Sequence, residues 1–392
     1  MLSGIALSLA IAGCKTPDAA TDAAAPTGNM QAAKPYPADA KTIVLGEYGS
    51  MTGSLATFGQ STDNAIKMAT AEVNAKGGVL GKPIEISLED DGSRAEQVPL
   101  AVNKLISEKN VLAILGEVAS SNSLAAAPIC QAAGVPMLSP TSTNPDVTKV
   151  GDYIFRACFI DPFQGSVMAK FAGGDLNAKT AAIFTDVKSD YSKGLTEFFK
   201  KEFIKNGGKI VSEENYRAGE TDFRGQLTNI KGKKPDVVYV PGYYTEVANI
   251  AVQARSLGID VPLLGGDGWD SPKLFEIGGK AVNGCYLTNH YSPENKDPKV
   301  VKFVTDYRKK YGETPDALAA VAYDAAYIMF DAIERTGSLD RAKLRDALAN
   351  TKDFDGVTGN ISMDENRNAQ KPIVILKIQD GKQNFVKEIS TK

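Results

Sequence analysis

Residues 42–88 read TIVLGEYGSMTGSLATFGQSTDNAIKMATAEVNAKGGVLGKPIEISL. Thr42-Ile43-Val44-Leu45-Gly46 is a short run rich in β-branched residues and predicts a strand. Gln60 to Lys76 follows with Ile66, Met68, Ala69 and Val73 at helical spacing, and Ile84 to Leu88 returns to strand. Strand, helix, strand in this order is a βαβ unit, with parallel strands and a right-handed crossover. The rhythm continues outward: helix Glu96 to Lys109, strand Val111 to Leu115, helix Ser123 to Ala133, and strand Val135 to Leu138, closed by Pro140. The expectation is an open α/β sheet with helices on both faces.

Near Cys158 to Gln164 the alternation pauses, then resumes with strands at 180–184, 209–213, 236–240 and 261–264. The helices between them are expected at 191–206, 223–231 and 245–257, which makes a second α/β unit. After Cys285-Tyr286-Leu287 come three helical segments, about 298–311, 316–336 and 340–350, and then a strand-rich end. No fixed-period repeat interrupts the body.

The chain has 392 residues, enough for two or three domains, and is 43% hydrophobic with 44 basic against 47 acidic residues. A formal charge of −3 without a basic cluster speaks against a nucleic-acid partner. One histidine, His290, and four cysteines at 14, 130, 158 and 285 form no C-x-x-C and no H-E-x-x-H, so zinc sites, redox dithiols and histidine-based triads lack parts. No metal and no cofactor is expected. The motif GVLGKP at 78–83 has neither the spacing nor the Ser/Thr of a P-loop, GSMTG at 49–53 puts Met51 where a nucleophile elbow needs serine, and Cys285 and His290 have no evident orienting partner. An enzyme is therefore not expected.

Open parallel sheets bind ligands at the carboxyl ends of their strands. Three loops at such ends are rich in glycine and small hydroxyls: residues 116–123 (GEVASSNS), 139–145 (SPTSTNP) and 265–270 (GGDGWD). Ser120 in the first loop suits a helix cap or an anion, and Thr141 and Thr143 in the second add donors at the adjoining strand end. Neutral donors without a basic residue fit a carboxylate better than a phosphate. Asp267, between glycines, suits an ammonium group, although a solvated loop aspartate accounts for it as well. Trp269, Tyr191, Tyr243 and Phe58 also fall in strand-end loops, where they can form an apolar wall with polar tips.

At the amino terminus, MLSGIALSLAIAGC is apolar and too short to span a bilayer. Ile11-Ala12-Gly13-Cys14 resembles the lipobox of bacterial lipoproteins, which implies a signal peptide at 1–13 and lipidation of Cys14. Residues 15–41, rich in Ala, Pro, Thr and Asp, are expected to form a flexible tether. With Cys14 lipidated, at most one internal disulfide can form, and whether Cys130 and Cys158 meet is left open.

The body resembles the leucine/isoleucine/valine-binding proteins, the periplasmic solute receptors of branched-chain amino-acid ABC transporters. The residues that carry this are GSMTG at 49–53, VNAKGG at 73–78, Asp90-Asp91, Gly116 to Ser121, PTST at 140–143, DYSKG at 190–194, GETDF at 219–223, VPGY at 240–243 and GGDG at 265–268. The resemblance implies a two-lobed type I periplasmic binding protein fold, each lobe an open, mostly parallel α/β sheet, joined by a multi-strand hinge. We expect the first lobe at 42–157 plus 288–350 and the second at 158–287 plus 351–392, with crossovers near 157–161, 286–289 and 351–356. By the same resemblance Ser120, Thr141 and Thr143 match residues that hold a ligand carboxylate. Asp267 and Tyr191 match those that hold its ammonium, and Tyr243 and Phe58 match pocket aromatics. The well-known members carry glutamate at the Asp267 position, and Ala119 replaces one cysteine of a disulfide found in some of them. The implied function is capture of a small amino acid, most simply an aliphatic one, and its delivery to a membrane permease from a lipid-anchored position outside the cytoplasm. A sensor of the same fold, or a receptor for an amide, urea or small organic acid, is the alternative.

Overall fold

A computed structural model describes residues 32–390. The signal-peptide expectation, the lipidated Cys14 and most of the tether lie outside the described residues.

The first sheet has strand order β2-β1-β3-β4-β5, built from β1 (Ile43–Gly49), β2 (Ile84–Asp90), β3 (Ile114–Leu115), β4 (Met137–Ser139) and β5 (Ile154–Arg156), all parallel. Between these strands run α1 (Ala56–Asn74), α2 (Val98–Asn103, continued by a π-turn over Lys104–Glu108), α3 (Ser120–Ala133) and α4 (Asp146–Lys149). Side chains of β1 alternate with the strand's period of two. Ile43 and Leu45 enter one apolar cluster, while Val44 packs against the other, beside α2 and α3.

The second sheet follows through α5 (Asp161–Gly174), β6 (Thr180–Asp186), α6 (Asp190–Lys205), β7 (Lys209–Tyr216), α7 (Arg224–Lys233), β8 (Val237–Tyr239), α8 (Tyr244–Ser256), β9 (Leu263–Gly265), α9 (Pro272–Gly278) and β10 (Tyr286–Asn289). Then come α10 (Pro298–Tyr311), α11 (Ala317–Thr336) and α12 (Arg341–Ala349). The chain ends with β11 (Phe354–Gly356), β12 (Gly359–Met363), β13 (Ala369–Gln370), β14 (Ile373–Gln379) and β15 (Lys382–Ile389). The strand order is β15-β14-β10-β9-β8-β6-β7. It is parallel from β7 to β10 and antiparallel across β10-β14-β15. Alternating residues again serve two faces: Ala182, Phe184 and Val238 on one, Ala181, Ile183 and Val237 on the other.

α10 and α11 return to the first lobe, where Val300, Phe303, Ala319, Ala322 and Ala326 share a cluster with Ile43 and Leu45. The alanines of α11 bring its backbone close to α1.

Three expected boundaries move. Residues 354–370 belong to the first lobe, because Ile361, Met363 and Ala369 pack into its core. Residues 286–289 are no crossover, because β10 pairs on both sides within the second sheet. The segments that pass between the lobes are therefore 157–160, 290–297 and 371–372. The expected tether ends earlier than residue 41. Ala33 N–H donates to Ala133 O, Arg341 holds the Lys34 carbonyl at 2.7 Å, and the Tyr36 hydroxyl lies between Thr42 O and Val44 N. Cys130, Cys158 and Cys285 are buried free thiols. Among the described residues no helix is long and apolar enough to cross a membrane.

Candidate functional site

The order of each sheet reverses once along the chain, between β1 and β3 in the first lobe and between β6 and β8 in the second. Loops at such switch points lie outside the carboxyl ends of strands that diverge, which opens a crevice for a ligand. The candidate residues fall in or beside loops flanking these two points. Phe58 follows β1, Ser120 follows β3, Thr141 and Thr143 follow β4, Tyr191 follows β6, Tyr243 follows β8, and Asp267 follows β9.

In the first lobe the donor loops are knit to one another before any ligand is considered. Ser139, Ser142 and Ser123 hydroxyls all donate to the Glu117 carbonyl, and Ser123 and Ser142 also meet at 2.7 Å. The buried Glu117 carboxyl accepts from the Ser50 hydroxyl at 2.7 Å and from the Ala119 N–H at the start of α3. Burial, with Asp91 close by, pushes its pKa well above the usual carboxylate range. Ser120 Oγ accepts the Asn144 N–H at 3.2 Å, which ties the first loop to the second. The Thr141 hydroxyl is buried without a hydrogen-bond partner in the protein, and the buried Thr143 hydroxyl makes no hydrogen bond of ordinary geometry, with only the Asp161 carboxyl beside it. Buried polar groups are rarely left so, and an orphaned hydroxyl in a strand-end loop marks a place that an acceptor of a bound molecule can complete.

A basic residue, unforeseen from sequence, lies behind this loop. Arg156 is fully buried and donates to Ser142 O at 2.5 Å and to Thr148 Oγ1 at 3.3 Å.

In the second lobe Asp267 is 3% exposed, with Oδ1 accepting from the Tyr191 hydroxyl at 2.9 Å and Oδ2 lying 3.0 Å from His290 Nε2. Its own N–H donates to Gln164 Oε1 at 3.0 Å, and the Gly268 N–H donates to the Tyr191 hydroxyl at 3.1 Å. The flanking glycines are required by this packing. A Cβ on Gly266 would stand 2.4 Å from the Tyr191 hydroxyl and 2.8 Å from Gln164 Oε1, and one on Gly268 would press on Gly242 O at 2.9 Å. Burial raises the Tyr191 pKa well above its ordinary value, with the Asp267 charge adding to it, so the hydroxyl keeps its proton and donates.

The two halves meet on the first turn of α6. Asp190 and Ser121 are joined across the cleft by two hydrogen bonds, and Asn144 Nδ2 donates to Asp190 O at 2.8 Å. The next residue, Tyr191, holds Asp267. Gly194, one turn on, leaves room for Asn144 and Asp161, either of which a Cβ there would approach to 3.2 Å. Asp161 stands beside Thr143, its N–H donating to Thr143 O at 3.0 Å. Burial pushes its carboxyl up to about 8, opposed by the Thr143 hydroxyl beside it and helped by the charge of Asp267.

Tyr191 and Tyr243 stack at 5.2 Å, and Phe58 from the first lobe meets Tyr243 and Tyr244 edge-on at 5.8 and 4.9 Å. Leu55, Phe58, Val118 and Ala119 share one apolar cluster with second-lobe residues. The lobes are thus closed on each other. Trp269 departs from the expected wall position. Its indole N–H donates to Val240 O at 3.0 Å and its ring lies against Gly265, so it braces the Asp267 loop from within the second lobe.

Sequence reasoning passed over Gln164, Arg156 and the carboxyl of Glu117, and weighed His290 only as a partner of Cys285, a pairing it set aside. His290 carried a usable signal, since it directly follows the fifth parallel strand of the second sheet.

A model of the periplasmic binding protein family matches residues 42–383, and the chain belongs to that family. It is 31% identical over 325 residues to the Leu/Ile/Val-binding protein BraC3 of Rhizobium johnstonii, covering 82% of this chain and 88% of that one. Among solved structures it is similar to the leucine-binding protein LivK of Thermotoga maritima, at 43% identity and a TM-score of 0.86, over 89% of this chain and 99% of that one. It is also similar to the branched-chain amino-acid transporter substrate-binding protein LivJ of Streptococcus pneumoniae in complex with isoleucine. There the identity is 36% and the TM-score 0.84, over 88% and 99% of the two chains.

Proposed function

We propose that this protein captures an aliphatic, branched-chain L-amino acid between its lobes and delivers it to an ABC permease outside the cytoplasmic membrane. The observation that carries the reading is the first turn of α6. There Asp190 contacts Ser121 and Asn144, the latter in the loop that carries the buried hydroxyls of Thr141 and Thr143, and Tyr191 contacts Asp267. Neutral donors and a carboxylate on two facing lobes match the two ends of a zwitterion. The similarity to leucine- and isoleucine-binding proteins supports the same ligand class.

In this reading Ser120, Thr141 and Thr143 hold the ligand carboxylate, with the Arg156 charge behind them. Asp267 takes the ammonium and Tyr191 fixes one of its oxygens, while Phe58 and Tyr243 cover an apolar side chain. The first lobe binds first and closure brings up the acid, so the closed form is populated by its extra contacts with ligand. A micromolar dissociation constant, about −8 kcal/mol, is within reach of two charge-assisted ends and one buried side chain. We further propose that the protein does no chemistry on its ligand and that lipidation of Cys14 anchors it to the membrane.

A thermal-shift screen tests the ligand class, because stabilisation grows with ligand concentration over dissociation constant. L-Leucine, L-isoleucine and L-valine are expected to give the largest shifts. A larger shift with an amide, urea or a small acid lacking an amine would contradict the proposal.

A further inference from the structure

His290, the chain's one histidine, stands behind the site rather than in it. It directly follows β10, at the start of the 290–297 crossover, and its side chain has no exposed surface. Its Nε2 lies 3.0 Å from Asp267 Oδ2, the oxygen that Tyr191 does not hold. One face of the imidazole stacks on Phe159 with ring centroids 3.9 Å apart and planes 21° apart, and Phe159 belongs to the 157–160 crossover. The backbone N–H of His290 donates to Asn289 Oδ1 at 2.9 Å, while Nδ1 is buried without a partner.

We propose that His290 is a positioning residue for the ligand's ammonium: an uncharged imidazole that donates from Nε2 to Asp267 Oδ2 and sets the carboxylate plane. This rests on the reading of Asp267 as the ammonium acceptor. An ionised carboxylate only accepts, so the shared proton belongs on Nε2. With Tyr191 on one oxygen and His290 on the other, the carboxylate cannot rotate, and its remaining lone pairs keep one direction. Burial opposes a second proton on the ring and lowers its pKa to about 4, although Asp267 pulls the other way. That matters for binding. A cation at this position would form its own ion pair with Asp267 and compete with the ligand, whereas an uncharged donor orients the acid and leaves its charge for the ammonium. The stack on Phe159 places two of the three crossovers against the same imidazole, so the direction of Asp267 is tied to the hinge.

The test is calorimetry on the full chain with L-leucine and with 4-methylpentanoate, the same carbon skeleton without the amine. His290→Leu is expected to weaken leucine about tenfold, the loss of one hydrogen bond to a charged group, and to leave 4-methylpentanoate within about twofold. His290→Gln, which restores an uncharged donor, is expected to return leucine affinity to within about threefold, and His290→Lys to weaken it at least as much as His290→Leu. Equal weakening of both ligands by His290→Leu would overturn the proposal and leave a structural role. If His290→Leu does not fold, the pair His290→Gln and His290→Lys decides, and equal affinities in the two would overturn it. Asp267→Asn separates the two levels. Should it weaken leucine while His290→Leu does not, the positioning role alone falls; should it leave leucine unchanged, the ammonium reading and the positioning role fall together.

Discussion

Ser121 and Asp190 face each other from the first turns of α3 and α6, one on each lobe. The Ser121 hydroxyl donates to Asp190 Oδ2 at 2.9 Å and accepts the Asp190 N–H at 3.1 Å. The contact bridges the two lobes, so their separation would break it, and in the proposed site neither side chain has a part in holding ligand. It stabilises closure itself, by the ~0.5–1.5 kcal/mol net of an ordinary hydrogen bond.

Asp190→Ala and Ser121→Ala are therefore each expected to speed ligand release about three- to tenfold and to change association little, since affinity changes within one interface fall mostly on the off-rate. The double variant should lose no more than Ser121→Ala alone, which already removes both bonds, whereas Asp190→Ala leaves the Asp190 N–H on the Ser121 hydroxyl. Stopped-flow dissociation of leucine checks this, and an unchanged release rate in both single variants would refute it.

Gly266→Ala places a methyl 2.4 Å from the Tyr191 hydroxyl and 2.8 Å from Gln164 Oε1. Overpacking of this kind costs ~1–3 kcal/mol and here falls on the two groups that orient the Asp267 loop. Leucine affinity is expected to drop about tenfold or more, with Tyr191 displaced in a crystal structure of the variant. Wild-type affinity in calorimetry would show that the loop does not need the close approach.

Much of this arrangement was legible in the sequence. Short apolar runs such as those of β1 and β6, alternating with segments at helical spacing such as α1, identified both parallel sheets, and strand-end loops pointed to Ser120, Thr141, Thr143 and Asp267. What could not be read was which lobe the terminal strands join. Ile361 and Met363 are apolar residues of a strand in either case, and only tertiary packing sends them to the first core. Trp269 was assigned to the cleft because it sits beside Asp267. Gly265, having no side chain, leaves the space that draws the indole inward. Arg156 and Gln164 reach the site from β5 and from α5, beyond any local motif.

The single imidazole makes one titration unambiguous. Burial depresses the His290 pKa from its ordinary 6.5 to about 4, with Asp267 opposing that shift and Lys371 adding to it. Between these values the folded state binds fewer protons than the unfolded one. The resulting stability, ~3 kcal/mol in order of magnitude, is fully present above pH 6.5 and is lost as pH falls through 4. NMR of the ring protons is expected to give a midpoint near 4. A midpoint near 6.5 would mean that the ring is not buried against Asp267.

The account turns on an ammonium held by Asp267, and calorimetry of L-leucine against the wild-type chain and Asp267→Asn measures that contact directly. Removing the charge while keeping the shape is expected to weaken leucine about a hundredfold, as for one partner of a buried charge pair. It should narrow the preference for leucine over 4-methylpentanoate by a similar factor. Undiminished leucine affinity in Asp267→Asn would contradict the account.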